Sequence, residues 1–283
     1  MAPSQRGLSA KLTGGVFYPW RDTLSDPAAP GHLPLWGRQE RELALDRGAN
    51  TMQHKRLTLF AGHYGSGKTN IAVNYALLLA GEGKKVCIAD LDIVNPYFRT
   101  KDSAAVLDAA GIHLISPQFA NTNVDLPALP AEAYRLVTDK GSYGIMDIGG
   151  DDRGAYALGR YVPAILEENN YRMIFVANAS RPLTRTPEDA LEVMREIEVA
   201  CGLKFTDLIN NTNLGDLTTP DTVRSAAAYM EKLSALSGLP VFATTAKADV
   251  AEKLDLPDVL PLTLQEKYFD LPSQKPGNRP LWG

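Results

Sequence analysis

The chain has 283 residues, 45% of them hydrophobic and 22% charged, and a formal net charge of −4. That length suits one α/β domain with an appendage, or at most two small domains. The acidic balance argues against nucleic acid as an obligatory partner, and no run reaches the roughly 18 apolar residues that a membrane span needs.

Residues 1–51 carry Pro3, Pro19, Pro27, Pro30 and Pro34 among scattered glycines, with no sustained apolar period. Such a segment buries too little surface to offset its ordering entropy, and a disordered extension is expected. It lacks the basic-then-apolar layout of a signal peptide, so a cytosolic location is the expectation. Pro-Leu-Trp-Gly occurs at 34–37 and again at 280–283; two copies of four residues carry no functional reading.

From Leu57 the chain alternates short apolar runs with longer helical ones. Strands are predicted at 57–61, 85–90, 112–116, 143–148, 172–178, 206–210 and 240–244. Helices are predicted at 68–80, 102–110, 131–139, 155–168, 187–200 and 220–237. This alternation implies right-handed crossovers and a mostly parallel sheet covered by helices on both faces. The nucleotide-binding domain is expected over 52–265, followed by a Pro-rich tail over 266–283. In this architecture ligands lie beyond the carboxyl ends of the strands, so each strand end is a candidate for function.

The first strand runs into Gly62-His63-Tyr64-Gly65-Ser66-Gly67-Lys68-Thr69-Asn70, which satisfies the phosphate-binding pattern G-x-x-x-x-G-K-[ST]. Glycines let the backbone curl so that successive N–H groups point into one concavity, and the following helix N-terminus adds a favourable dipole. Lys68 supplies a mobile charge to the β- and γ-phosphates, and Thr69 a hydroxyl for Mg²⁺. Lys68 is expected to face solvent.

The second strand ends in Asp90-Leu91-Asp92, two carboxylates able to organise water and a metal shell. A turn chosen for aspartate's local chemistry would give the same letters. The fourth ends in Asp147-Ile148-Gly149-Gly150, an aspartate placed to hold Mg²⁺ and a glycine pair that permits a moving loop. Asp151, Asp152 and Arg153 fit either the site or a solvated loop. Arg181 and Arg185 follow the fifth strand, where they could hold phosphate or an acidic ligand, or pair with a carboxylate such as Glu188. Asn210–Asn213 after the sixth strand lack the carboxylate that reads guanine. An Asn amide suits adenine, whose exocyclic amine donates to it and whose ring nitrogen accepts from it. Ala246–Asp249 is expected to pack near the base. ATP is therefore expected over GTP. Cys87 and Cys201 have neither redox nor zinc spacing and are expected to be buried in a reducing compartment.

Together these residues resemble the MinD/ParA-type P-loop ATPases over about 52–260. The resemblance rests on Gly62–Thr69, Asp90-Leu91-Asp92 and Asp147-Ile148-Gly149-Gly150. It implies ATP and Mg²⁺ as ligands, Lys68 and Thr69 as phosphate and metal residues, and Asp92 positioning the attacking water. It also implies Asp147 in the metal shell, Asn211 facing the base, and an ATP-sandwiched homodimer that switches a protein partner. The family's first P-loop lysine, which reaches across that dimer, is replaced by His63. No basic amphipathic helix precedes Pro272, Pro276 and Pro280, which argues against membrane docking. An ATP-dependent ligase or kinase acting on a small acidic substrate is the alternative, with Arg99, Arg181 and Arg185 as anion holders and the 121–130 loop as a roof.

Overall fold

A computed structural model describes residues 53–91, 103–116, 131–150 and 152–264. The first expected boundary, the Pro-rich tail, Asp92, Arg99 and the 121–130 loop fall outside the described residues. The elements are β1 (Leu57–Ala61), α1 (Lys68–Gly81), β2 (Val86–Leu91), α2 (Ala104–Ala109) and β3 (His113–Ile115), then a 3₁₀ turn (Ala131–Tyr134) running into α3 (Arg135–Thr138). They continue with β4 (Tyr143–Ile148), α4 (Asp152–Gly159), α5 (Val162–Glu168), β5 (Tyr171–Ala177), α6 (Pro187–Cys201) and β6 (Asp207–Asn210). The described chain closes with α7 (Pro220–Arg224), α8 (Ala227–Ser237), β7 (Val241–Lys247), α9 (Ala248–Ala251) and β8 (Val259–Leu262).

The eight strands form one sheet in the order β3-β2-β4-β1-β5-β6-β7-β8. Every neighbouring pair is parallel. Alternation within each strand sends side chains to opposite faces. Leu57, Leu59 and Ala61 pack with Met146, Phe175, Ala155, Ile165, Met194 and Leu233, beneath α4, α5, α6 and α8. Phe60, Ile88, Ile145 and Ile174 meet Ile71, Tyr75 and Leu79 of α1 and Leu107 of α2 on the other face. The central strand β1 is buried along its whole length, as expected of a strand covered on both sides.

Three departures from the predicted elements have local causes. The helix expected over 155–168 is two helices, because Pro163 lies in the opening residues of α5. Proline has no N–H to donate to a preceding turn, but its fixed φ suits a new helix start. The helix over 220–237 is likewise divided, at Ser225–Ala226, where Ser225 Oγ donates to Thr222 O and Ala226 N turns to Val223 O, three residues back rather than four. The strand β8 was not predicted: Val259-Leu260-Pro261-Leu262 is short and contains a proline. At the sheet edge a missing ladder donor is tolerated, and Leu260 and Leu262 still point into the core.

Two side chains hold distant parts of the chain. Arg56 pairs with Glu168 and donates through Nη1 to the carbonyls of Leu136, Asp139 and Ser142. Its guanidinium also holds the Glu168 carboxyl below the usual range. On α1, Asn74 donates to Thr263 O at 2.9 Å and accepts from Thr263 N at 2.8 Å. Cys87 and Cys201 are free and buried, and burial pushes the Cys87 thiol up to about 11. Among the described residues, no helix is long and apolar enough to cross a membrane.

Candidate nucleotide site

The loop from Gly62 to Gly67 leaves β1 and enters α1 between the ends of three other strands. Ser66 N donates to His63 O at 3.1 Å, closing a turn, and Ile71 N donates to Gly67 O at 3.2 Å as the helix begins. Gly67 takes φ 93°, the left-handed region, at the N-cap of α1. A β-carbon there would also fall 2.2 Å from Asn211 Nδ2. No side chain caps α1 and no acidic residue occupies its first turn. A helix N-terminus of that kind favours an anion through its orphan N–H groups and its dipole.

Lys68 is 5% exposed, and its Nζ donates to His63 O at 3.4 Å. The expected solvent-facing lysine is therefore corrected: its stem lies within the loop and its charge is held beside the curled backbone. His63 Nδ1 lies 2.9 Å from Tyr64 O, while Tyr64 itself is half exposed.

Thr69, buried at the first turn of α1, donates from Oγ1 to Asp147 Oδ2 at 2.7 Å. Asp147 is fully buried at the end of β4, and Asp90 lies directly opposite it on β2. Neighbouring strands are about 4.8 Å apart, and partners in parallel register point the same way. Asp90 and Asp147 thus share the face of the sheet that α1 covers. The structure brings Lys68, Thr69, Asp90 and Asp147 to one corner.

Of these, Thr69, Asp90 and Asp147 fit Mg²⁺. They are hard oxygen donors, and Mg²⁺ is ordinarily held by one or two protein groups together with substrate phosphates. No group of three or more His, Cys, Asp or Glu able to hold a metal occurs among the described residues.

Two strand ends brace the loop from either side. Beyond β4, a β-carbon on Gly150 would stand 2.6 Å from Tyr64 N and 2.8 Å from Gly62 O. The residue reads in the sequence as freedom for a moving loop, and in the fold it allows two backbones to touch. Beyond β6, Asn211 is buried. It donates to Ser66 O at 2.6 Å and accepts from Thr245 Oγ1 at 2.8 Å. The amide expected at a base thus has one donor and one acceptor site committed to the loop and to β7. Sequence reasoning missed this role, since the contact depends on β6 lying two places from β1 in the sheet.

The remaining sequence candidates separate. Arg181 lies against Gly65, its Cζ and Nε each 3.6 Å from the position of a β-carbon there. Glu188 pairs with Lys232 rather than with an arginine. Asp152 and Arg153 open α4, and Asp151 lies outside the described residues. Asp249 is exposed, 4.0 Å from Lys247 Nζ. Asn213 donates to Asn211 O at 2.8 Å in the loop beyond β6.

No model of a known protein family matches the sequence, and no curated protein matches it. Among solved structures, the signal recognition particle receptor FtsY from Elizabethkingia anophelis is 18% identical, with a TM-score of 0.44, over 67% of this chain and 57% of that one. FtsY from Thermotoga maritima is 16% identical over 71% of this chain and 67% of that one, with a TM-score of 0.46. The signal recognition particle 54 kDa protein from Aeropyrum pernix, in complex with GDP, is 17% identical over 78% and 50%, with a TM-score of 0.45. The chain spans between half and about two thirds of the length of these structures. An all-parallel eight-stranded sheet, helices on both faces and a glycine loop between β1 and α1 make this the P-loop NTPase fold.

Proposed function

We propose that this protein binds ATP with Mg²⁺ and acts as an ATP-hydrolysing switch on a protein partner, in the manner of the MinD/ParA-type ATPases it resembles. The observation that carries this reading is the Thr69–Asp147 hydrogen bond at the N-terminus of α1. It puts a hydroxyl and a carboxylate beside a helix end that favours phosphate.

On this reading, the N–H groups of Gly62–Asn70 cradle the phosphate chain and Lys68 neutralises its β- and γ-oxygens. Thr69, Asp147 and Asp90 would hold Mg²⁺, which, when bound, draws charge from the phosphates as the terminal bond breaks. Asp92, outside the described residues, is proposed to orient the attacking water. The missing carboxylate at Asn210–Asn213 supports ATP over GTP. Asn211 acts first as a brace for the loop, and its remaining N–H and lone pair are what it has to offer a base.

A protein partner is supported by the surface around the site. Tyr64, Leu183, Leu214 and Leu217 are 51%, 60%, 53% and 78% exposed. They follow β1, β5 and β6, neighbours in an all-parallel sheet, and so share its carboxyl rim. Apolar side chains gathered at one rim mark an interaction surface more than scattered ones do.

Two measurements test the proposal. Equilibrium binding of ATP with and without Mg²⁺ should show tight, metal-dependent binding. Sedimentation with ATP and with ADP should show an assembly that depends on the nucleotide. Absence of ATP binding would end the reading. Turnover that rises only when small carboxylic acids are added would replace the switch with a small-molecule ligase or kinase.

A further inference from the structure

Arg181 is held in place before any ligand arrives. Its N–H donates to Asn178 O at 3.1 Å, and its own carbonyl accepts from Thr184 N at 3.2 Å. Thr184 Oγ1 also donates to Asn178 O at 2.9 Å, and Ala179 N donates to Thr212 Oγ1 at 3.2 Å. Pro182 follows, and a residue before proline is kept out of the helical region; Arg181 has φ −96° and ψ 138°. The strand end therefore presents this side chain from a fixed backbone.

Its guanidinium faces the phosphate-binding loop. Measured from where a β-carbon on Gly65 would lie, Cζ and Nε are at 3.6 Å and Nη1 at 3.8 Å. Three atoms of one plane at nearly equal distance place the face of the guanidinium on the turn at Gly65. Nε is buried and has no hydrogen-bond partner among the described residues. No ion pair to Arg181 occurs among them either: Glu188 is taken by Lys232, and Glu198 by Lys204. Asn178 Nδ2 and Ser66 Oγ, on the same strand end and in the same loop, are also buried without partners. A buried charged donor left unpaired is costly, and arginine's planar fork is the group best matched to phosphate oxygens.

We infer that Arg181 is a phosphate ligand supplied in cis from the end of β5, closing the site on the side opposite Asp90 and Asp147. The inference deepens the proposed nucleotide binding and rests on it. The order of strands is the reason for its position: β1 lies between β4 and β5, so the loop leaving β1 has carboxylates on one flank and this arginine on the other. Arg185, in the same segment, is exposed.

The test uses the full chain and three probes: ATP, ADP and inorganic tripolyphosphate. Arg181→Ala should weaken ATP and tripolyphosphate at least about tenfold, the low end for a charge-assisted hydrogen bond, with the melting temperature of the nucleotide-free protein unchanged. Arg181→Lys should recover part of the affinity, because a point charge replaces a fork. Wild-type affinity for all three probes in Arg181→Ala would overturn the inference while leaving nucleotide binding intact. So would a loss that follows a lowered melting temperature and is not relieved in Arg181→Lys. Failure of the unaltered protein to bind any probe would instead remove the nucleotide reading on which the inference rests.

Discussion

The two ends of the candidate site are built differently. At the phosphate end, Lys68, Thr69, Asp90 and Asp147 are all at least nine-tenths buried, and the loop backbone touches Gly150 on one side and Asn211 on the other. At the end where a base would lie, Leu214 and Leu217 are exposed, Asp216 is exposed between them, and Lys247 and Asp249 make only a long contact near solvent. The difference teaches where the fold has invested its rigidity. A phosphate chain would meet a preformed cradle, and a base would meet adaptable side chains. Most of the affinity should therefore come from phosphates, and only a modest part of the specificity from the base.

The largest expected effect is from Gly150→Ala, which forces a β-carbon onto the backbone of Gly62 and Tyr64. Overpacking of this kind costs about 1–3 kcal/mol, and the loop cannot keep its shape, so ATP binding should vanish in a titration and the melting temperature should fall. Retained binding would show that the cradle is not preformed. Next comes Lys68→Ala. Losing a charge-assisted contact of about 1.5–3 kcal/mol should weaken ATP by roughly 10- to 150-fold. Because Lys68 is buried rather than exposed, a small drop in melting temperature should accompany it, readable by calorimetry.

Asp147→Asn keeps the shape and can still accept from Thr69 while removing a negative charge. Its expected signature is a shift of the Mg²⁺ titration to higher concentration, by about tenfold, with metal-free ATP binding unchanged or improved. If the Mg²⁺ titration does not move, Asp147 does not serve the metal. Asn211→Ala separates brace from reader. Acting through Ser66 and Thr245, it should weaken ATP and GTP together, and leaving a buried carbonyl unpaired costs about 1–3 kcal/mol. A change confined to one nucleotide would put the amide at the base. Smallest is the ratio of ATP to GTP affinity in the unaltered protein, expected to favour ATP by less than about tenfold. A preference for GTP would point to Asp216 or Asp249, the first carboxylates after the ends of β6 and β7.

Local pattern made much of this legible. The strands at Leu57–Ala61 and Tyr143–Ile148 have the bounds their apolar runs predict, because a strand buried on both faces has few other ways to be composed. The helix at Pro187–Cys201 was also readable: Thr186 and Asp189 form its capping box, and Gly202 ends it with a positive φ. Thr69 and Asp147 could be named because the motif and the end of an apolar strand fix each one separately. Their hydrogen bond, like the contacts of Gly150, Arg181 and Asn211, depends on which strands are neighbours. Strand order is a global property, carried by no single stretch. Lys68 was misjudged because the curl of its own loop, which folds His63 O back onto its ammonium, is a conformation the letters do not show.

The pairing of Asn74 with Thr263 has a consequence in time. The two residues are 189 apart in the chain, yet Asn74 belongs to the helix that carries Lys68 and Thr69. During synthesis β1 and α1 emerge before the other described elements, and β1 must wait for β4 and β5 before it has a neighbour on either side. The last tie on α1 forms only when the final described residues have been made. Such long-range closure slows folding and leaves early segments waiting unpaired. Nascent chains truncated before β8 should therefore hold an incompletely fastened α1, and the cradle should become firm only once Thr263 has been added.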